Sequence, residues 1–323
     1  MEPEIKIIPT VHQPIMVGPI LESLLEPFKR LPPDAPPHWI VDCTLGGGGH
    51  TSSFLEAFHS DPHLQKHKVL SLDQDLSAIS RANHRFENEL QEGRLVIKHS
   101  RFSELPQVVA EISSDLPILG MLADLGFSSD QMDNPERGFS FQSNGPLDMR
   151  LNPDEGLSCR EYLAQVNEKD LEKVLREYGE ERFSRRIASS IIESRKRGCL
   201  PSTTKELVDC IMRVLPPFAK HGRIHAATRT FQALRIVINQ ELKELEDLLT
   251  HGIFLLKPEG RVAILSFHSL EDRMVKNTFK EGLKNPSSPF LPLSKKPLEA
   301  DEQEVQRNPR SRSAKLRVAE RKG

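Results

Sequence analysis

Residues 38–50 limit the folds available to this chain more than any other part of the sequence. They comprise a short apolar run, an acid at Asp42, glycines at positions 46–49, and a predicted helix start at about His50. An apolar run of this length between proline-rich and glycine-rich segments is typical of a buried strand in a parallel sheet. Glycines permit positive φ angles and let a ligand approach the backbone closely. Because a helix N-terminus has unpaired N–H groups, the stretch predicts the first strand, turn and helix of a nucleotide-type site.

Two common phosphate-binding patterns do not fit this glycine turn. The dinucleotide pattern needs a glycine where this chain has Thr51, and a P-loop needs Lys followed by Ser or Thr after its glycines. An acid followed by a glycine-rich turn suits S-adenosylmethionine instead, because its sulfonium and amino groups are cationic and it carries no phosphate. A glycine-rich loop that binds no ligand is the alternative.

Further strand-like and helix-like segments alternate along the chain. Strands are predicted at 68–73, 94–99, 116–122 and 261–267. This alternation predicts a parallel α/β sheet whose ligand lies at the carboxyl ends of the strands. Asp73 ends the second strand, where an acid in doubly wound folds accepts hydrogen bonds from ribose hydroxyls; a solvated turn residue is the alternative. Phe102 follows the third strand, where an aromatic ring either covers an adenine or belongs to the core.

A segment without strand-like runs interrupts this alternation. Its helices are predicted at 158–165, 168–178, 180–196 and 203–215. We therefore predict a discontinuous α/β domain, residues 1–131 and 227–323, and an inserted all-helical domain, residues 132–226. A long helix is expected from 225 to about 249, and Leu316 and Val318 alternate like residues of an edge strand.

The third helix of the predicted insert is basic. Its cationic residues are Arg182, Arg185, Arg186, Arg195, Lys196 and Arg197. Such a run indicates either a solvated helix face or contact with an RNA backbone. Since the whole chain has a formal net charge of −2, binding to nucleic acid can be argued only from local patches of this kind.

Composition indicates a soluble globular protein. Of the 323 residues, 37% are hydrophobic and 28% charged, and no apolar run approaches membrane-spanning length. The four cysteines form no C-x-x-C pair, which argues against a zinc site or a disulfide framework. Residues 1–6 resemble neither a signal peptide nor a transit sequence, so we expect a cytoplasmic protein.

Several longer motifs are more specific than the glycine turn. They occupy residues 42–50, 124–129, 136–141, 145–150, 227–235, 266–273 and 308–320. In these motifs, and in their order from about residue 12 to 322, the chain resembles the small-subunit ribosomal RNA (cytosine-N4)-methyltransferase H family. The resemblance implies a class I (Rossmann-like) S-adenosylmethionine-dependent methyltransferase core with an inserted helical domain for substrate recognition. It also implies N4-methylation of one cytosine in the decoding region of 16S ribosomal RNA.

The resemblance further implies which residues contact the cofactor. By position these are Gly48, Gly49, His50, Asp73, Phe102, Asp124 and Gln131. The chain departs from the family at Gly47, where an Arg is common, and at Ala226, where Pro is usual. The first departure would alter contacts of the loop, and the second would loosen a helix start. Neither removes a group that the chemistry needs.

Asp124 is also the leading catalytic candidate. The exocyclic N4 of cytosine is a poor nucleophile because its lone pair is delocalised into the ring, so a hydrogen-bond acceptor must orient it. Asp124 ends the fourth predicted strand, and Ser128 and Ser129 on the same turn are candidates for positioning the base. The sequence leaves open whether Asp124 serves the base, the cofactor or both. The reaction needs no metal, and the sequence contains no cluster of metal ligands.

The expected partner is 16S ribosomal RNA within the 30S subunit, with no membrane involved, and a homodimer is compatible with the sequence. Its target base must be unstacked, and the loop at 130–150, with Phe139 and Phe141, is the candidate for holding that base.

Two other classes of protein compete with this interpretation. A DNA amino-methyltransferase usually has Pro-Pro-aromatic after its fourth strand, but the Pro-Pro-Phe of this chain, at 216–218, lies in the predicted insert. A non-catalytic RNA-binding or assembly protein would retain the fold without transferring a methyl group.

Overall fold

The computed structural model describes residues 14–113, 116–220, 225–285 and 287–323. The start of the family resemblance, at about residue 12, and positions 221–224 of the predicted insert lie outside these residues. The chain forms two compact units, one made of Met1–Gly126 with Leu242–Gly323 and the other of Phe127–Glu241.

The first unit is built on one mixed sheet. Its strands are β1 (Trp39–Asp42), β2 (Lys68–Asp73), β3 (Leu95–His99), β4 (Ile118–Asp124), β5 (Leu256–Ser266), β6 (Phe290–Pro292), β7 (Leu298–Glu299) and β8 (Lys315–Arg321). The strand order is β3-β2-β1-β4-β5-β8-β6, and β7 also pairs with β8. Neighbouring strands from β3 to β5 run parallel, whereas β8 is antiparallel to its three partners. The predicted α/β class is confirmed, and the chain order reverses at β1, where doubly wound folds bind ligands.

The helices belong to both units. In chain order they are α1 (Val17–Lys29), α2 (Gly49–Ser60), α3 (Leu76–Arg85), α4 (Glu87–Gln91), α5 (Leu105–Ile112), α6 (Ser129–Asp133), α7 (Cys159–Gln165), α8 (Glu168–Gly179), α9 (Ser184–Lys196), α10 (Thr204–Val214), α11 (Pro217–Lys220), α12 (Thr228–Ile238), α13 (Glu241–Thr250), α14 (Ser269–Lys284) and α15 (Glu302–Arg307). Helices α6–α12 lie in the second unit. Over the described ranges, none of the helices combines the length and the apolar character that a membrane span requires.

Both faces of the sheet are buried. Along β1, Ile40 belongs to the apolar cluster on one face and Val41 to the cluster on the other, and both are fully buried. The same alternation continues on β2 with Val69 and Leu70. Because side chains of a strand point to opposite faces in turn, burial of both faces requires the continuous apolar runs seen in the sequence.

The C-terminal strand corrects one prediction. We expected an edge strand at Leu316 and Val318, but β8 lies inside the sheet, between β5 on one side and β6 and β7 on the other. Leu316 and Val318 pack into the core, and the intervening Arg317 forms a buried ion pair with Asp272 of α14, at 2.7 Å between Nε and Oδ1. The alternation therefore comes from two covered faces rather than from one solvated face.

The second unit differs from the predicted insert in two respects. The compact unit, 127–241, is longer than the predicted 132–226 at both ends, since α12 packs against α8 within it. The single helix expected over 225–249 is broken between α12 and α13. At the break Gln240 adopts a left-handed φ of 53°, and the Asn239 side chain bonds the backbone of Met149 and Leu151.

Two aromatic side chains of the loop predicted to hold the target base pack in the hydrophobic cluster of the second unit. Phe139 is only 6% exposed and stacks on Phe127, with ring centroids 5.3 Å apart. Phe141 is half-buried between the rings of His225 and Phe231. Phe139 is therefore committed to packing, whereas Phe141 packs on its ring neighbours and keeps a partly exposed surface.

Candidate functional site

Three carboxylates end three neighbouring strands of the sheet. Asp42 ends β1, Asp73 ends β2 and Asp124 ends β4, and β1 lies between the other two. Since these strands are parallel, all three residues lie at the same edge of the sheet. This is the edge at which doubly wound folds bind ligands.

The glycine turn requires glycine for conformational and steric reasons. Gly46 and Gly48 have left-handed φ angles of 50° and 75°, which favour glycine. A Cβ on Gly48 would lie 2.7 Å from the ring of Phe86, and a Cβ on Gly49 would lie 2.9 Å from Pro14. Gly48 is also the N-cap of α2 and has no side chain to cap it, so the first turn of the helix keeps N–H groups for a ligand.

A guanidinium lies at this turn although position 47 is glycine. Arg85 of α3 donates a hydrogen bond from Nη1 to the carbonyl oxygen of Gly47, at 2.9 Å. The departure from the family at Gly47 therefore leaves an arginine side chain in contact with the loop. At the other departure, Ala226, helix α12 starts at Thr228 without a side-chain cap.

Asp42 points into the protein rather than toward a ligand. It is fully buried; Oδ2 accepts a hydrogen bond from Thr51 Oγ1 at 2.7 Å, and Oδ1 accepts one from the Thr44 N–H at 3.2 Å. Burial raises the pKa of Asp42. Asp42 therefore ties the glycine turn to α2, and Thr44 and Thr51 are residues that our sequence reasoning missed. Hydroxyl residues on both sides of the four glycines were the available signal.

Asp73 bonds the glycine turn with one carboxylate oxygen and the start of the following loop with the other. Oδ2 accepts a hydrogen bond from the Gly46 N–H at 2.7 Å, and Oδ1 accepts one from the Asp75 N–H at 2.8 Å. Burial raises the pKa of Asp73 to about 6, and the two backbone hydrogen bonds oppose that rise. Each oxygen of an ionised carboxylate has a second acceptor position, so Asp73 can also accept bonds from ligand hydroxyls.

Asp124 combines one oxygen in an ion-pair contact with one that has no partner. Its backbone N–H donates to Thr44 Oγ1 at 2.8 Å, which holds the residue against the turn. Oδ2 lies 3.4 Å from His50 Nε2, an ion-pair contact without hydrogen-bond geometry. Oδ1 is buried and accepts no hydrogen bond from any residue of the described ranges. A buried acceptor without a partner costs about 1–3 kcal/mol, so this oxygen is prepared for a ligand that donates to it.

The charge of His50 is coupled to the same carboxylate. Burial lowers the pKa of His50, but its interaction with Asp124 and the negative charges of Asp124 and Asp42 outweigh that effect and raise the pKa overall. His50 is only 5% exposed. A protonated His50 therefore neutralises part of the negative charge around Asp124 Oδ2.

Phe102 starts a short 3-10 turn that follows β3. Its ring is half-buried and packs against the core cluster that contains Leu72 and Leu105. One side of the ring thus belongs to the core, while the remaining exposed surface is available to a ligand.

The other predicted site residues lie in the second unit. Ser128 is the N-cap of α6, and its Oγ accepts a hydrogen bond from the Gln131 N–H at 3.3 Å. Gln131 Oε1 in turn accepts one from the Ser128 N–H at 2.9 Å, and both residues are buried. The Ser129 side chain lies outside the described residues. The structure thus brings Gly48, Gly49, His50, Asp73 and Asp124 together in the first unit, whereas Ser128 and Gln131 form a capping box in the second.

Together, the fold and this edge of the sheet define a class. This is the class of doubly wound α/β proteins that bind a ligand at the carboxyl ends of their strands, next to a glycine turn and carboxylates.

Comparison with known proteins identifies the family within this class. The MraW methylase family model matches residues 9–322. A ribosomal RNA small subunit methyltransferase H from Synechococcus sp. (strain RCC307) is 44% identical over 96% of this chain and 95% of its own length. The protein of the same name from Heliobacterium mobile is 40% identical over 96% of this chain and 98% of its own length. The chain belongs to the MraW methylase family, as the sequence motifs predicted, and it is a methyltransferase.

Similarity to solved structures is weaker. An rRNA methylase from Streptococcus thermophilus aligns over 95% of this chain and 94% of its own, with 12% identity and a TM-score of 0.36. A likeness at this level carries no argument about the site.

Proposed function

We propose that this methyltransferase transfers a methyl group from S-adenosylmethionine to N4 of one cytosine in the decoding region of 16S ribosomal RNA. The name shared by its relatives supports ribosomal RNA as the substrate class. The observation that carries the proposal is the buried Oδ1 of Asp124, an acceptor without a partner among the described residues, beside a glycine turn at the switch point of the sheet.

The residues of the first unit fit the cofactor. The uncapped N-terminus of α2, at Gly49 and His50, suits the carboxylate of its methionine part, and Gly48 lets that group approach the backbone. The Asp73 carboxylate suits the ribose hydroxyls, and the half-exposed ring of Phe102 suits the adenine. The family resemblance also names Gln131, which lies in the second unit, and its Oε1 is already used in the capping box there. When bound, S-adenosylmethionine supplies an electrophilic methyl group on a positively charged sulfur.

Asp124 is the residue that makes N4 of cytosine nucleophilic. Its Oδ1 accepts the hydrogen bond of one N4–H, which rotates the nitrogen lone pair out of conjugation and toward the methyl group. His50 Nε2 lies 3.4 Å from the other oxygen, so a protonated His50 attracts Oδ2 and leaves Oδ1 to the base. As the new N–C bond forms, N4 must lose a proton, and Asp124 Oδ1 is the acceptor within reach of it. Within the second unit, Ser128 Oγ serves the α6 cap only as an acceptor, so its hydroxyl hydrogen remains available as a donor.

The second unit, residues 127–241, is assigned to substrate recognition. Its helices present basic residues, and its described residues, 127–220 and 225–241, include no strand of the sheet on which the proposed cofactor site is built. The proposed setting is the cytoplasm, where the 30S subunit that contains the target cytosine is assembled.

Methyl transfer to defined substrates tests this function. Purified protein and labelled S-adenosylmethionine are incubated with unmodified 30S subunits and, separately, with naked 16S RNA, followed by nucleoside mass spectrometry. N4-methylcytidine formed on 30S alone would support the proposal and identify the folded ribosomal site as the substrate. Product on naked RNA as well would shift recognition to local RNA sequence. Cofactor binding without methyl transfer to either substrate would favour the assembly-protein alternative.

A further inference from the structure

One large apolar side chain of the second unit is almost fully exposed. Phe218, in the short helix α11, is 79% exposed, whereas the other exposed large hydrophobic residues of the described ranges reach at most 49%. Its ring lies against Phe183, with centroids 6.1 Å apart and planes tilted by 59°. Phe183 is half-buried, and its N–H donates to Glu181 Oε1 at 2.8 Å, which holds it in place. Phe218 is therefore an exposed ring that packs on the half-buried ring of Phe183.

Three arginines flank the supporting ring. Arg182 precedes Phe183 directly, and Arg185 and Arg186 lie in the first turn of α9, which Phe183 caps. All three side chains are exposed, and none has a hydrogen bond or an ion pair with another residue of the part of the chain described. In contrast, Arg195 of the same helix bonds the carbonyls of Leu163 and Val166, and Arg197, just after the helix, pairs with Glu193.

The position of these cations is unfavourable for the free protein. The first turn of a helix carries partial positive charge, so acidic residues stabilise it and basic ones destabilise it. The first turn of α9 contains no acidic residue and no side-chain cap. Stability therefore does not account for three unpaired arginines at this place, whereas binding to a polyanion does.

We propose that Phe218 and the three arginines form a binding surface for single-stranded RNA on the second unit. The arginines bind phosphates, and the exposed ring of Phe218 stacks on an unstacked base. The combination distinguishes RNA from a simple polyanion, because an aromatic face adds affinity only where a base is available. This inference rests on the proposed function in naming ribosomal RNA as the bound strand.

Binding of the full-length protein to RNA, without cofactor, tests the surface. The probe is a short fluorescein-labelled single-stranded RNA with the decoding-region sequence, titrated at several salt concentrations and compared with its duplex. The variants are F218A, F218W and the triple variant R182A/R185A/R186A. The matched controls are L157A, at another exposed apolar residue of the unit, and R197A, at an exposed but paired arginine. Because all changed side chains are exposed, circular dichroism should show that every variant folds.

F218A should weaken single-stranded binding by about tenfold without changing its salt dependence, and F218W should retain affinity. The triple arginine variant should lower the slope of log affinity against log salt by about 2, since each phosphate contact contributes about 0.7 for single strands. L157A and R197A should behave like the unchanged protein.

Equal RNA affinity of F218A and L157A would overturn the proposal. So would a loss of self-association in F218A at unchanged RNA affinity, because the ring would then belong to an interface between proteins. The two proposals can fail independently. A protein that binds RNA but transfers no methyl group would contradict the proposed function and still support the RNA-binding surface.

Discussion

At the residue scale, the two oxygens of Asp124 are in different surroundings, and the proposed mechanism depends on that difference. One oxygen contacts His50 and the other is buried without a partner in the described part of the chain. Asparagine at this position would keep the shape and one acceptor but lose the negative charge. It would also lose most of the ability to take a proton from N4.

We therefore expect D124N to lower kcat for methyl transfer by about 10²–10⁴-fold, the usual contribution of a positioned general base. Cofactor affinity should fall much less, because Asp73 and the glycine turn are unchanged. Single-turnover kinetics and calorimetry measure the two effects separately. D34N, at an exposed carboxylate, is the control. An unchanged kcat in D124N would remove the assigned role.

The raised pKa of Asp73 predicts that cofactor affinity depends on pH. In the free protein burial raises this pKa to about 6, and ribose hydroxyls that donate to the carboxylate favour its ionised form and lower the pKa on binding. Affinity should therefore be full above pH 6 and weaken as the pH falls below it, by up to about tenfold per pH unit. Calorimetry across this range measures the effect.

His50 also titrates in this site, so a variant is needed to separate its contribution to the pH dependence from that of Asp73. D73N should bind the cofactor more weakly at neutral pH and lose the dependence around pH 6. If D73N kept both the neutral affinity and the pH dependence of the unchanged protein, the ribose assignment would be wrong.

Much of the site could be predicted at this scale, but the orientation of its side chains could not. Strand ends can be located from apolar runs, so Asp73 and Asp124 were expected at the ligand edge. Whether an acid at a strand end points outward or inward depends on partners from other elements. Asp42 is turned inward by Thr51, and Ser128 is held in a helix cap by Gln131. The Ser-x-x-Gln pattern at 128–131 is a sequence signature of such a cap, whereas the hydroxyl residues near Asp42 do not specify the direction of its carboxylate.

At the scale of elements, the turn between β1 and α2 forms much of the proposed cofactor site. Its shape depends on Gly48 in two ways, the left-handed φ and the 2.7 Å distance from its ideal Cβ to Phe86. Phe86 lies at the break between α3 and α4, so the packing of a neighbouring helical segment limits residue 48 to glycine.

G48A should destabilise the protein more than G93A. Gly93 also has a left-handed φ, of 65°, but no atom lies within 4 Å of its ideal Cβ, so G93A reports the conformational cost alone. The additional steric cost of G48A should lower the free energy of unfolding by about 1–3 kcal/mol more. Urea unfolding of both variants measures the difference. Equal losses would show that Phe86 moves aside without cost.

At the scale of the whole chain, the C-terminal strand completes the first unit. β8 pairs with β5, β6 and β7, and its Leu316, Val318 and Ala319 are buried. Residues 315–321 therefore add an inner strand to the sheet of this unit, although the ligand edge is built mainly from residues 1–124.

Truncation after Ala314 should abolish folding. It would remove the central antiparallel strand, leave β5 and β6 without their shared partner, and leave the Asp272 carboxylate buried without Arg317. Burial of a Leu or Val side chain contributes about 1.5–3 kcal/mol, and whole domains are stable by only about 5–15 kcal/mol. We expect insoluble protein without a cooperative thermal transition.

Removal of residues 322–323 alone is the matched control and should leave the melting temperature nearly unchanged. A soluble, cooperatively folding chain that ends at Ala314 would show that β8 is dispensable, as a true edge strand would be.

The sequence by itself determined the features that depend on neighbouring residues. Apolar runs and glycines established the parallel strands, the turn before α2 and the positions of Asp73 and Asp124, because the period of a strand and the freedom of glycine are local properties. Tertiary structure alone decided where β8 pairs, that Phe139 is core rather than a base holder, and that Asp42 points inward. In each case the outcome depends on which distant surface covers the residue, and the local sequence pattern does not specify which surface that is.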